Sequence, residues 1–139
     1  MTLFVALSLL FVVSDLSLRV EPAMPTTPTT AERAAAEMKA KRYAEAADLW
    51  RQAAAEKGDP ELCLGRLAEC LYYLKRYDAA LVVCDEVEEA TTGESQAAPY
   101  IRGLIAVEKK EAQVAASHFN VAFMRRHPLA RHQLETLRK

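Results

Sequence analysis

The sequence predicts an all-α fold: three helical hairpins stacked as a right-handed solenoid, closed by a C-terminal capping helix. Three observations carry this. Strong helix formers (Ala, Leu, Glu, Lys and Arg) dominate the 139 residues, against four Gly and six Pro. From Thr30 onward, apolar residues recur with helical spacing. The chain also repeats itself: KRYAEAADLW, beginning at Lys41, returns as KRYDAALVVC at Lys75, 34 residues on. A fixed-period helical pair cannot bury its apolar face alone, so neighbouring pairs stack.

Each element has its own signals. The first helix opens at Thr30, a capping residue, and carries Arg33, Ala34 and Met38. The phase shifts around Lys41–Tyr43, and a second helix carries Ala46, Ala47, Trp50, Ala53 and Ala54. Gly58-Asp59-Pro60 ends it: Gly58 is expected to supply the left-handed turn, Asp59 the next cap and Pro60 the first helical position. The third helix carries Leu64, Leu67, Ala68 and Leu71. A second phase shift at Arg76-Tyr77 places Asp78 as cap of the fourth, with Leu81, Cys84 and Val87 along it. Residues 91–95 read as a turn. The third pair holds Gly103 and Ala106, then Ala115, Phe119 and Ala122, and His127-Pro128 stops it. Residues 129–138 make the capping helix, with Leu129, Leu134 and Leu137 for apolar contact.

With these residues in place, the chain resembles the tetratricopeptide repeat family. Tyr43-x-x-Ala46-x-x-x-Trp50-x-x-Ala53 has the small and large residues of that family's second helix. Tyr77-x-x-Ala80-x-x-x-Cys84-x-x-Val87 and Ala112-x-x-Ala115-x-x-x-Phe119-x-x-Ala122 repeat it. On the first helices, Leu67-Ala68-x-x-Leu71 and Arg102-Gly103-x-x-Ala106 match the large-then-small pattern, and Arg33-Ala34-x-x-Glu37 is a degraded copy. Cys84 and Val87 depart from it, standing where an aromatic residue and Ala are usual. The resemblance spans about 31–128, with repeats near 31–59, 60–94 and 95–128 and the cap at 129–138 of a 31–139 domain. Trp50 and Phe119 are expected in the core. The middle repeat, with Cys84 in their place, is expected to be filled by Leu64 and Leu67 or to be looser.

Ahead of the domain lie an apolar leader, 1–23, and a Pro/Thr linker, 24–30. The run LFVALSLLFVV from Leu3 is too short to span a bilayer but has the length of a signal-peptide core. No Lys or Arg precedes it, and Met24 is an alternative start. Cys63, Cys70 and Cys84 are odd in number and form no CxxC pair, so buried free thiols in a reducing compartment are expected. The cytoplasm is therefore favoured, with secretion or membrane attachment the rival if 3–13 acts as a signal.

The residues give no chemistry to an enzyme. There is no Gly-rich phosphate loop, no nucleophile with a base and orienter in sequence, and no Cys near the paired His127 and His132. No catalytic residue, metal or cofactor is expected. The net charge of −1 gives no whole-molecule argument for nucleic acid or an anionic membrane, and no nucleic-acid partner is expected. Charge is nonetheless uneven. Residues 78–94 hold six acids (Asp78, Asp85, Glu86, Glu88, Glu89, Glu94) without a base. Residues 109–139 hold seven bases against two acids. Solvated helix faces explain both, and the alternative is a head-to-tail docking patch between copies.

What the resemblance implies is a non-enzymatic adaptor that binds another protein or peptide in the concave groove of its first helices. Carried onto this chain, the groove takes Ala35, Met38, Leu62, Gly65, Glu69, Tyr72, Tyr73, Tyr100, Leu104 and Val107. That surface suits an apolar or amphipathic segment, with the three tyrosines as anchors. A subgroup of the family grips the C-terminal carboxylate of heat-shock chaperones with Lys, Arg and Asn. Ala31, Ala35 and Arg66 stand at the clamp positions here, so that clamp is expected to be absent. The rival functions are a structural subunit or assembly factor of a larger complex, and a co-chaperone without the clamp. Membrane contact is expected only if the leader is retained.

Overall fold

The computed structural model describes residues 26–139, and the expectations on the leader lie outside them. The described residues form seven helices: α1 (Thr30–Lys39), α2 (Tyr43–Ala55), α3 (Pro60–Tyr73), α4 (Tyr77–Ala90), α5 (Ala97–Glu108), α6 (Ala112–Met124) and α7 (Ala130–Leu137). Each of the first six packs on its chain neighbour, α3 also touches α5, and α7 lies on α6. This is a helical-repeat solenoid of three hairpins with a terminal cap.

Alanines make the stacking close. Ala34, Ala46, Ala68, Ala80, Ala98, Ala115 and Ala122 are fully buried, so backbones meet with a single methyl between them. The space left over is filled by Trp50, at 3% exposure, and Phe119, at 0%, both in the core as expected. Cys84 is also fully buried, in one cluster with Leu64, Leu67, Val83 and Val87. All three cysteines are free and buried. Gly103 faces Phe119 so closely that a Cβ there would lie 2.5 Å from the ring. Its absence lets the aromatic ring fill the hairpin.

The helix ends correct several sequence expectations. The cap of α1 is Thr29, not Thr30. The Thr29 hydroxyl accepts from the Glu32 N–H at 3.2 Å, and the Glu32 carboxylate accepts from the Thr29 N–H at 2.8 Å. Asp59 precedes α3 but makes no capping bond through its side chain. Asp78 lies inside the first turn of α4, and Arg76 occupies the cap position without a side-chain bond. Gly58 does not provide the left-handed residue either: Lys57 does, at φ 63°. Gly58 is required for space, because a Cβ would sit 2.6 Å from the Cys63 Sγ and 2.7 Å from the Ala53 carbonyl.

One device ends all six helices of the hairpins. Lys41, Lys57, Lys75, Thr92, Lys110 and Arg126 each have positive φ, and none is Gly. After each, an N–H reaches back five residues, as in Arg42 to Glu37 O, Arg76 to Leu71 O and Glu111 to Ala106 O, all at 2.9 Å. These are Schellman closures. The echoed Lys-Arg-Tyr is thus a helix stop (Lys) followed by a restart (Tyr).

Three of the six acids of residues 78–94 are paired within the molecule. Arg51 of α2 meets Glu86 at 2.6 Å, and Arg102 of α5 meets Asp85 at 2.6 Å and Glu88 at 3.4 Å. Arg125, just after α6, meets Glu88 at 2.7 Å and also donates to the Ser95 carbonyl at 2.8 Å. Glu88 is therefore a shared partner between the second and third hairpins.

Candidate functional site

Two adjoining pockets run along the first helices of the hairpins. The outer one, ≈ 590 Å³, lies between α1 and α3. Ala31, Ala35, Met38 and Leu62 give it apolar walls, Tyr43 and Tyr73 an aromatic side, and Trp50 a buried base. The second, ≈ 410 Å³, lies between α3, α5 and the turn before α7, with Glu61, Gly65, Tyr100, His127 and Leu129 among its lining. Leu62, Arg66 and Glu69 belong to both. Helical spacing explains that: Leu62, Arg66 and Glu69 fall on one stripe of α3.

The sequence-predicted site residues divide between these pockets and the packing around them. Met38, Leu62, Glu69 and Tyr73 line the outer pocket, and Leu62, Glu69 and Tyr100 the second. Leu62 and Tyr73 are the open apolar groups, 45% and 47% exposed, with Val107 exposed on α5. Tyr73 stacks on Tyr43 with centroids 4.7 Å apart. Tyr72 turns into the aromatic cluster instead, 5.9 Å from Tyr77, and its hydroxyl donates to Glu108 at 3.2 Å. Burial, then the Glu108 charge, pushes the Tyr72 phenol up to about 12. Tyr100 stacks on His127 at 4.0 Å and accepts from Gln133 of α7 at 3.4 Å. Leu104 packs against the buried cluster of Ala106, Ala115 and Phe119, as do Leu134 and Leu137 of α7. Gly65 is buried against α5, where a Cβ would meet the Ala97 Cβ at 2.9 Å.

Sequence reasoning missed four participants. Tyr43 opens a second helix, outside the predicted groove, yet its ring backs Tyr73. Trp50, expected in the core, also lines the outer pocket. Its indole N–H is buried and, among the described residues, has no acceptor. Glu61 caps α5 from α3, accepting the N–H groups of Gln96 and Ala97 at 3.0 and 2.9 Å, and keeps its other oxygen buried without a partner. His127, expected only in a helix stop, lines the second pocket. Burial holds its imidazole below the ordinary histidine value. No spacing rule announces such roles, which arise between repeats.

The positions of a carboxylate clamp, Ala31, Ala35 and Arg66, all lie on the outer pocket. Two are methyl groups, and Arg66 is engaged by Glu69 at 2.8 Å. Among the described residues, no group of three or more His, Cys, Asp or Glu could hold a metal ion. None of their helices is long and apolar enough to cross a membrane.

No curated protein and no solved structure matches the chain. Residues 37–106, from within α1 to within α5, match the family model described as tetratricopeptide repeat. With half of the sequence under that model and three hairpins stacked on buried alanines, the chain belongs to the tetratricopeptide repeat family, whose members are generally protein–protein interaction modules and typically not enzymes.

Proposed function

We propose that this protein is a non-enzymatic adaptor that binds an apolar or amphipathic segment of another protein along α1, α3 and α5. The binding residues are Met38, Leu62, Glu69, Tyr73 and Tyr100, with Tyr43 added, and Val107 at the far end. Tyr72 and Leu104 act from behind, Tyr72 by holding the aromatic cluster and Leu104 by seating the cap. The observation that carries this reading is the pair of pockets joined through Leu62, Arg66 and Glu69. A continuous, mainly apolar trough with a few fixed polar groups suits an extended or helical peptide. Tyrosine suits such a surface because it offers large contact area at small entropic cost.

A second reading, a structural subunit held by its ends, is favoured by one observation. The second helix of the last hairpin exposes Val114, Val121, Phe123 and Met124, the last at 81%. One experiment separates the two. Full-chain protein is used to capture partners, alongside Leu62→Glu and Met124→Glu variants. Loss of the captured protein with Leu62→Glu alone supports the groove. Loss with Met124→Glu alone supports the terminal face and overturns the adaptor reading.

A further inference from the structure

We infer that the outer face of α6, the second helix of the last hairpin, lies on an anionic lipid surface, with its apolar stripe at headgroup depth and the cations near it on lipid phosphates. This goes beyond the groove reading and concerns a different face of the molecule.

The repeats supply an internal comparison. Val114, Ser117, Val121 and Met124 fall on one stripe of α6, turned away from the buried Ala115, Phe119 and Ala122. The stripe is open: Val114 is 45%, Val121 39% and Met124 81% exposed. The same four positions carry two acids in α2, Glu45 and Asp48, and two in α4, Glu86 and Glu89. None of the thirteen residues of α6 is Asp, Glu, Lys or Arg. The two earlier hairpins show what a solvated outer face looks like in this chain, and α6 departs from it. An uncapped solenoid end does not explain the departure. α7 packs on the last hairpin through Leu134 and Leu137 and leaves Arg131 and Glu135 exposed, which is the polar outer side of a cap.

The charges around the stripe choose its partner. From Ala112 to Lys139 the chain holds five bases (Arg125, Arg126, Arg131, Arg138, Lys139) against one acid, Glu135. Two more acids come to the end where α6 stops. Glu88 pairs with Arg125, and Glu94 is the neighbour of Ser95, whose carbonyl Arg125 holds. With both counted, positive charge is still in excess by two. At the other end Lys109 and Lys110 stand with Glu111, while Glu108 is taken by the Tyr72 hydroxyl. A second copy paired through α6 would bring an equal positive excess and nothing to offset it. A protein segment needs groups that set its register, and the outer half of α6 has no charged one. An anionic bilayer accepts an apolar stripe about 20 Å long in any register and supplies negative charge all round it.

The test is flotation of the full chain with vesicles of phosphatidylcholine, alone or with about 30% phosphatidylserine. Neutral vesicles measure whatever the uncharged run at 3–13 contributes. Mixed vesicles are expected to bind more tightly, by about five-fold for each cation engaged, and to lose that advantage between about 0.1 and about 1 M salt. The double variant Val121→Glu, Met124→Glu gives α6 the acids of α4 and is expected to weaken binding to mixed vesicles at least about ten-fold. Leu62→Glu is expected to leave it unchanged. Equal binding to both vesicles, wild-type binding by the double variant, or loss with Leu62→Glu overturns the inference. So does the absence of vesicle binding, and a captured protein then lost with Met124→Glu assigns the face to a protein partner. The groove reading is tested by capture with Leu62→Glu and stands or falls apart from the lipid preference. Should the double variant fail to fold by circular dichroism, the wild type decides. Spin-labelled lipid in the mixed vesicles is expected to broaden the Met124 methyl resonance more than that of Met38, which lines the outer pocket. Equal broadening, or none, overturns the inference.

Discussion

At the scale of single residues, the hairpins are set by which side chain stands at one repeated position. Trp50, Cys84 and Phe119 occupy it in turn, and all three are buried. Phe119 is accommodated because Gly103 faces it without a Cβ. Trp50→Ala is expected to cost about 3–5 kcal/mol, since a large buried side chain leaves a cavity that two helices cannot collapse to fill. Urea unfolding measures this, and a loss under about 1 kcal/mol would remove Trp50 from the core. Cys84 has the opposite fate from a reactive thiol. Burial pushes its thiol up to about 12, and that of Cys70 likewise. The residue pattern predicted each of these burials correctly. It could not predict that the Trp50 N–H is buried without an acceptor among the described residues, because whether a donor finds an acceptor depends on what other elements bring near it.

At the scale of elements, the recurring left-handed Lys governs where each first helix stops. Lys41, Lys75 and Lys110 hold φ near 60°, a conformation that costs a side-chain-bearing residue about 1–2 kcal/mol. Gly adopts it freely but loses about 0.5–1 kcal/mol more entropy on folding. Lys75→Gly is therefore expected to stabilise the protein by about 0.5–1 kcal/mol. Adding Lys41→Gly and Lys110→Gly is expected to be roughly additive, because the three turns lie in separate hairpins. Thermal melts of the single and triple variants check this, and a lowered midpoint would show the Lys side chains to be needed. The phase shifts at the first two of these turns were visible in the sequence, and so were the three helix pairs and the cap. The caps were not. Asp59 and Asp78 stand in plausible capping positions but make no capping bond, while the start of α5 is capped by Glu61 from another hairpin. A capping bond depends on side-chain direction, which local sequence leaves open.

At the scale of the whole molecule, stability should respond to pH from both sides. Cys70, Cys84 and Tyr72 are raised by burial, so the folded state keeps protons that the unfolded chain releases. Their contribution is complete below about pH 9 and is lost as pH rises from there toward about 12. His118 and His127 are lowered by burial, so the unfolded chain binds protons first. Their contribution is present above pH 6.5 and is lost as pH falls below it. Urea midpoints are thus expected to be highest between about 7 and 9, and a midpoint rising steadily into the alkaline range would contradict the burial of the thiols. Charge at this scale also reads differently from the sequence. Asp85, Glu86 and Glu88 of α4 bind Arg51 of α2, Arg102 of α5 and Arg125 just after α6, so half of the acidic run is a seam between hairpins.

What the sequence determined by itself was the periodic part: all-α composition, three helix pairs and a cap, the buried alanines and space-fillers, and the family. These follow from spacing along one chain, and helical periodicity projects spacing directly onto a buried face. Tertiary structure alone decided how the faces were used. It sent Tyr72 to Glu108 and Tyr100 to His127 and Gln133, and brought Leu104 and the leucines of α7 onto one cluster. It left Leu62 and Tyr73 open, and it buried the Trp50 indole N–H without an acceptor among the described residues. Each of these depends on the meeting of residues about 30 or more apart in sequence, a distance at which the repeat fixes the position of a residue but not the partner it finds.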